Sequence, residues 1–215
     1  MKAERIMSMT DAHTIVLSDG DKTLTTTDLT KSVPVPEERK IKGVFDGDRY
    51  TTYQFWKARQ THNGLDNMME RYEVAFSSAE FDSALLEDIA EIDGFKVVVS
   101  AGLEDLWKLA AERTGVMDTA VASDQSGYSN MSQLGKAYLA RELRKAGRRV
   151  IAIGDNMVDY YMLLEADRGY AVAHLTKNAS LQRTLLGGTT IRQPCSNQTK
   201  FEGVEEVSSI HEDIE

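Results

Sequence analysis

The stretch Ile15-Val16-Leu17-Ser18-Asp19-Gly20-Asp21-Lys22-Thr23-Leu24 decides the fold. Three apolar residues run into two aspartates separated by one residue, then a threonine and a turn, which puts two carboxylates at the carboxyl end of a buried strand. Open α/β sheets hold their ligands at that edge. Residues i and i+2 of an extended chain face the same side, so Asp19 and Asp21 address one bound group if the extended geometry continues past Ser18. Two like charges that close need a cation or a shared proton. Such a pair supports two roles: a carboxylate that attacks phosphorus and forms an acyl-phosphate, and a carboxyl that protonates the leaving oxygen and then activates water. The competing reading of Asp-Gly-Asp is an ordinary turn, because Asp and Gly are common turn residues. The rest of the chain decides between the two.

At 215 residues the chain can bury one sizeable core, or one core and a small insertion. A formal charge of −9 argues against a broad basic face for nucleic acid, while leaving room for a local basic pocket that takes a small anion. The longest apolar runs fall short of the ~18 residues of a membrane span, and residues 1–10 lack the apolar core of a signal peptide. The expectation is a cytoplasmic protein. Cys195 is the single cysteine, which excludes an internal disulfide framework and a thiolate metal cluster.

Downstream of the opening strand, residues 25–30 are polar and turn-prone, and Pro34 and Pro36 bar a regular helix there. Between residues 44 and 81 aromatics cluster, and helices are predicted at 51–60 and 65–77, separated by His62-Asn63-Gly64. Segment 28–81 thus reads as a small helical insertion into a core made of 1–27 and 82–215. Beyond it the pattern alternates: helix 83–92, strand 95–100, helix 103–114, strand 119–123, helix 134–146, strand 149–154, helix 158–166, strand 169–173, helix 178–186 and strand 189–192. Strands alternating with such helices predict an α/β fold, a Rossmann-like doubly wound parallel sheet covered on both faces. The acidic tail, 196–215, is expected to be partly loose.

Several apolar strands end in a polar residue where a ligand would sit. Ser100, followed by Ala101 and Gly102 at a predicted helix start, offers a hydroxyl and backbone amides to a phosphate oxygen, or simply caps the helix. Lys136 lies near the amino end of a helix, unfavourable for a cation unless an anion is near; the alternative is an exposed surface lysine. Asp155 and Asp159 stand four apart after the strand ending at Gly154, spaced so that one can ligate a cation and the other hold a lysine.

The motifs Asp19-Gly20-Asp21-Lys22-Thr23, Ser100, Lys136, and Gly154-Asp155 with Asp159 together resemble those of the haloacid dehalogenase superfamily of phosphohydrolases. The run Val98-Val99-Ser100-Ala101-Gly102 and the position of the insertion are most similar to the phosphoserine phosphatase-like branch. The resemblance implies an Mg2+-dependent phosphomonoester hydrolase acting on a small phosphorylated metabolite through an aspartyl-phosphate. By the same resemblance Asp19 is the nucleophile and Asp21 the general acid and base. Magnesium is held by Asp19, the backbone carbonyl of Asp21 and Asp155, with Asp159 in support. Thr23, Ser100, Ala101, Gly102 and Lys136 take the phosphoryl group, and the insertion is a substrate-selecting cap. Asp28 occupies the offset at which that branch places a glutamate that contacts the substrate amine, and Val158 stands where it carries asparagine. Both departures point away from phosphoserine itself. Within the cap, Phe45, Tyr53, Trp56, Arg59 and Arg71 are candidate substrate contacts, although aromatics at helical spacing usually pack; His174 is expected on the rim. The alternatives are a phosphotransferase or mutase using the same aspartyl-phosphate, and a non-catalytic binding module on the same fold.

Overall fold

A computed structural model describes residues 2–32, 60–61, 63–124, 131–172, 200–201 and 204–207. Five strands, β1 (Thr14–Ser18), β2 (Phe95–Leu103), β3 (Thr119–Ser123), β4 (Arg149–Gly154) and β5 (Arg168–Val172), pair in parallel in the order β3-β2-β1-β4-β5. Their cores are near-continuous apolar runs, as strands covered on both faces must be. Two further strands, β6 (Lys200–Phe201) and β7 (Val204–Val207), extend the sheet beyond β5; β7 runs parallel to β5 and β6 antiparallel to β7. The tail expected to be partly loose therefore contributes sheet at 200–201 and 204–207. Residues 51–59 of the expected helix 51–60, the expected helix 178–186 and strand 189–192, and residues Phe45, Tyr53, Trp56, Arg59, His174 and Cys195 lie outside the described residues.

Side chains alternate between the two sheet faces. One face carries Val16, Val98, Ala120 and Ile151, covered by α2 (Leu65–Ser77), α3 (Ser83–Glu91) and α4 (Glu104–Thr114). The other carries Ile15, Leu17, Val97 and Val150, covered by α1 (Lys2–Met9), α5 (Gln133–Lys145) and α6 (Tyr160–Glu165). Helix α1 has no counterpart among the sequence expectations. It is short, and it is held by Ala3 and Ile6 in the core and by an Arg5–Glu104 ion pair of 2.8 Å.

The predicted helix 65–77 is present as α2, with Met68, Tyr72 and Phe76 buried in the same core as α4. Phe76 meets Trp107 edge to face, centroids 5.0 Å apart, and the Arg113 guanidinium donates to the Phe76 carbonyl. These aromatics pack, as the sequence pattern suggested. Arg71 is exposed and donates to Asn67 one turn back at 3.1 Å.

Candidate active site

The chain runs outward from β1 through β2 to β3, then crosses back to place β4 on the other side of β1. That reversal makes the crevice at the carboxyl ends of β1 and β4 the natural ligand site of an open α/β sheet. Asp19 follows β1 and Asp155 follows β4, so two residues 136 positions apart meet because their strands are neighbours. The Asp19 amide donates to the Ile153 carbonyl at 2.8 Å, tying the two strand ends together.

After Asp19 the chain makes one irregular turn, Gly20–Leu24, closed by the Thr25 amide donating to the Gly20 carbonyl at 3.1 Å. Asp21 is anchored within it, its Oδ1 accepting from the Leu29 amide at 2.7 Å. Thr23 is buried, and its hydroxyl faces Asp19 Oδ2 at 3.4 Å and Asp155 Oδ1 at 3.5 Å. The segment is a turn, and it carries Asp19 into a buried position.

The β4 end folds into a tight loop before α6. Asp159 caps the loop from below, its Oδ2 accepting from the amides of Asp155 (3.2 Å) and Asn156 (3.3 Å). A Cβ on Gly154 would lie 2.5 to 2.7 Å from the Asp159 side chain, so glycine is required there for that contact. Asn156 Nδ2 donates to Asp155 Oδ1 at 2.7 Å and orients it. The predicted helix start at 158 shifts to Tyr160 because 155–159 is spent on this loop.

Helix α5 begins at a Ser132 cap, whose hydroxyl accepts from the Gly135 amide at 3.2 Å. Lys136, in its first turn, is 1% exposed, which excludes the surface-lysine reading. Its Nζ donates to Asp159 Oδ1 at 2.6 Å and to Asp19 Oδ1. Burial alone would lower the Lys136 pKa, but Asp159 and Asp19 outweigh it and hold the value above the usual range, so the lysine stays charged.

The acids show the opposite balance. Burial, then the charge of Asp159, pushes Asp19 up to about 6 against the pull of Lys136. Asp155 is pushed up to about 6 by burial and by Asp19, and burial raises Asp159 although Lys136 opposes it. Asp21 is raised to about 8 by burial, then by Asp19 and Asp28. Burial and the neighbouring carboxylates thus favour the protonated form of Asp21 more strongly than that of Asp19.

Carboxylate oxygens of Asp19, Asp155 and Asp159 lie within 4.8 Å of one another. Three carboxylates against the one ammonium of Lys136 leave two negative charges in a buried site. One divalent cation with a preference for oxygen ligands balances that excess, so the donor set fits a metal such as magnesium. The Asp21 side chain is not in this group.

Ser100 is buried in β2, and its hydroxyl accepts from the Gly102 amide at 2.9 Å. It does not cap α4: the strand continues to Leu103, which precedes the helix without a side-chain cap. The register pairs Ser18 with Val98, so Ser100 lies two residues beyond the last pair that β2 makes with β1. Trp107, absent from the sequence expectations, lies against both the turn after β1 and the end of β2: a Cβ added to Gly20 or Gly102 would come within 2.4 Å of its indole. The pair of glycines at 20 and 102 was the available signal, since each can mark a close approach. Asp28 is paired with Lys22, Nζ to Oδ2 3.1 Å.

A family model described as haloacid dehalogenase-like hydrolase matches residues 49–185, more than half of the chain. No curated protein matches it. Among solved structures the chain is similar to a phospho-aspartyl intermediate analogue of phosphoserine phosphatase, at 21% identity and a TM-score of 0.54, over 74% of this chain and 85% of that one. It is also similar to a protein with unknown function from Bordetella pertussis Tohama I, at 13% identity and a TM-score of 0.61, over 82% and 96% of the two chains. At these identities the likeness is one of fold. No helix among the described residues is long and apolar enough to cross a membrane.

Proposed function

The chain belongs to the haloacid dehalogenase-like hydrolase family, and on that footing we propose that it hydrolyses a small phosphomonoester through an aspartyl-phosphate formed on Asp19. The observation that carries this reading is the convergence of Asp19, Asp155 and Asp159 within 4.8 Å, with Lys136 bonded to two of them and Asp21 two residues beyond the first. Asp19, Asp155 and the backbone carbonyl of Asp21, with Asp159 in support, form the set that would hold a magnesium ion. That ion, when bound, supplies positive charge beside the phosphoryl oxygens and lets an anionic nucleophile approach an anionic ester.

The remaining work falls to the chain. Asp19 attacks phosphorus, a new P–O bond forms to its carboxylate, and the bond to the leaving oxygen breaks. Asp21, protonated at rest, gives its proton to that oxygen, releasing an alcohol. Its carboxylate then takes a proton from water as the water attacks the aspartyl-phosphate, which frees inorganic phosphate and restores both acids. Lys136 holds Asp19 and balances the charge that gathers on the phosphoryl group. Ser100 with the backbone at Ala101 and Gly102, together with Thr23, flanks the phosphoryl oxygens. Segment 28–81, whose residues 33–59 and 62 lie outside the described set, acts as the substrate-selecting cap.

The test is hydrolysis of an aryl phosphate by the whole chain, with and without magnesium. Turnover that needs magnesium and disappears in Asp19→Asn is the expected result. A phosphotransferase would instead speed up when alcohol acceptors are added, and a binding module would turn over no member of a broad phosphomonoester panel.

A further inference from the structure

Lys22 is the one described non-glycine residue with a positive φ, 65°. That left-handed conformation is unfavourable for a residue with a long side chain, and it persists here in the turn that carries Asp19 and Asp21. Its consequence is an ion pair: Lys22 Nζ sits 3.1 Å from Asp28 Oδ2, with the two side chains 28% and 16% exposed. The Lys22 amide is held as well, donating to Thr25 Oγ1 at 3.3 Å. Asp28 in turn is fixed beside Asp21, because the Leu29 amide next to it is the group that Asp21 accepts from. The pair therefore stands on the partly open side of the buried acids, next to the carboxyl that would protonate the leaving oxygen.

A carboxylate alone at this place would favour a leaving group bearing an ammonium. A carboxylate already matched by a lysine does not, and the lysine adds a cation that sees Asp155 and Asp21. We propose that the Lys22–Asp28 pair selects the leaving group, favouring phosphomonoesters whose alcohol is neutral or anionic over those that carry an amine. This deepens the phosphatase reading above and rests on it.

The experiment compares kcat/KM for glycerol 3-phosphate and phosphoethanolamine, with each protein normalised to its own aryl phosphate turnover in magnesium. Wild type is expected to favour glycerol 3-phosphate by roughly tenfold, and Lys22→Met to erase that preference by removing the cation beside Asp28. Lys22→Arg keeps the cation and should keep the preference. Lys22→Gly removes the cation while relieving the backbone, so it should match Lys22→Met in selectivity even if the two differ in stability. Aryl phosphate turnover with an equal or reversed wild-type preference, or with a ratio that Lys22→Met and Lys22→Gly leave unchanged, overturns the role of the pair alone. Absence of aryl phosphate turnover in wild type overturns the phosphatase reading and this proposal with it.

Discussion

The indole ring of Trp107 fills the space beside Gly20, so that a Cβ at that position would lie 2.4 Å from two of its ring carbons. The same ring closes on Gly102, and its Nε1, buried, has no hydrogen-bond partner among the described residues. Trp107 is thus wedged between the turn after β1 and the Ser100–Gly102 end of β2, and Phe76 of α2 braces it from behind.

Gly20→Ala is therefore expected to push the Asp19–Asp21 turn away from a ring that cannot retreat. The overpacking should cost about 1–3 kcal/mol of stability, and the displaced carboxylates should cost roughly 10²-fold in kcat. Adding Trp107→Leu to Gly20→Ala makes room and should recover part of the lost kcat. Thermal unfolding and aryl phosphate kinetics measure both, and a fully active single variant would contradict the wedge.

Lys136→Met removes the cation that Asp19 and Asp159 share inside the fold. Breaking a buried pair by deleting one partner costs about 3–5 kcal/mol, a fall in Tm on the order of 10 °C for a chain of this size. Magnesium should recover some of that loss, since it answers the same excess charge. A variant as stable as wild type without metal would mean that the lysine is not holding the acids.

Stability should also depend on pH in a direction set by the raised acids. Asp19 and Asp155 at about 6, and Asp21 at about 8, all exceed the unfolded value of 3.8. The folded state then binds more protons than the unfolded state across this window, and stability falls as pH rises through the folded values. Metal-free protein is expected to lose roughly 5 °C or more in Tm between pH 5 and pH 8. Magnesium should narrow the difference, most of all at pH 8. A metal-free Tm that climbs over this range would show that the acids are not held protonated.

Asp21→Asn separates the two half-reactions. An activated aryl ester needs little help in leaving, so phosphate should still reach Asp19, while its release to water should slow by about 10²–10⁴-fold without a base. Rapid-quench kinetics should show a burst of about one aryl alcohol per protein followed by slow turnover. Steady turnover equal to wild type would remove Asp21 from the proton transfers.

Much of the fold could be read from local pattern. The strands 119–123 and 149–154 and the helix 65–77 appear where the apolar runs and helical spacing place them, because strands buried on both faces have little freedom in composition. Helix Lys2–Met9 escaped, since eight residues give barely two turns of signal and the helix depends on its packing against the sheet. Ala101 and Gly102 resemble a helix start in sequence, whereas the strand runs on through a register shift to pair Leu103 with Ser123. The strand at 204–207 lies in an acidic segment whose place in the sheet comes only from an available edge beside Tyr170 and Ala171.

The site divides along the same line. Which residues could bear charge or attack phosphorus, and which strands would end beside them, followed from residue identity and spacing alone. Tertiary structure decided that Asp19, Asp155 and Asp159 share a few ångströms, that Lys136 is buried between two of them, that Lys22 is turned onto Asp28, and that Trp107 fills the space between the turn after β1 and the end of β2. Desolvation and Coulomb energy depend on distance and exposure in space, and neither is written in the separation of residues along a chain.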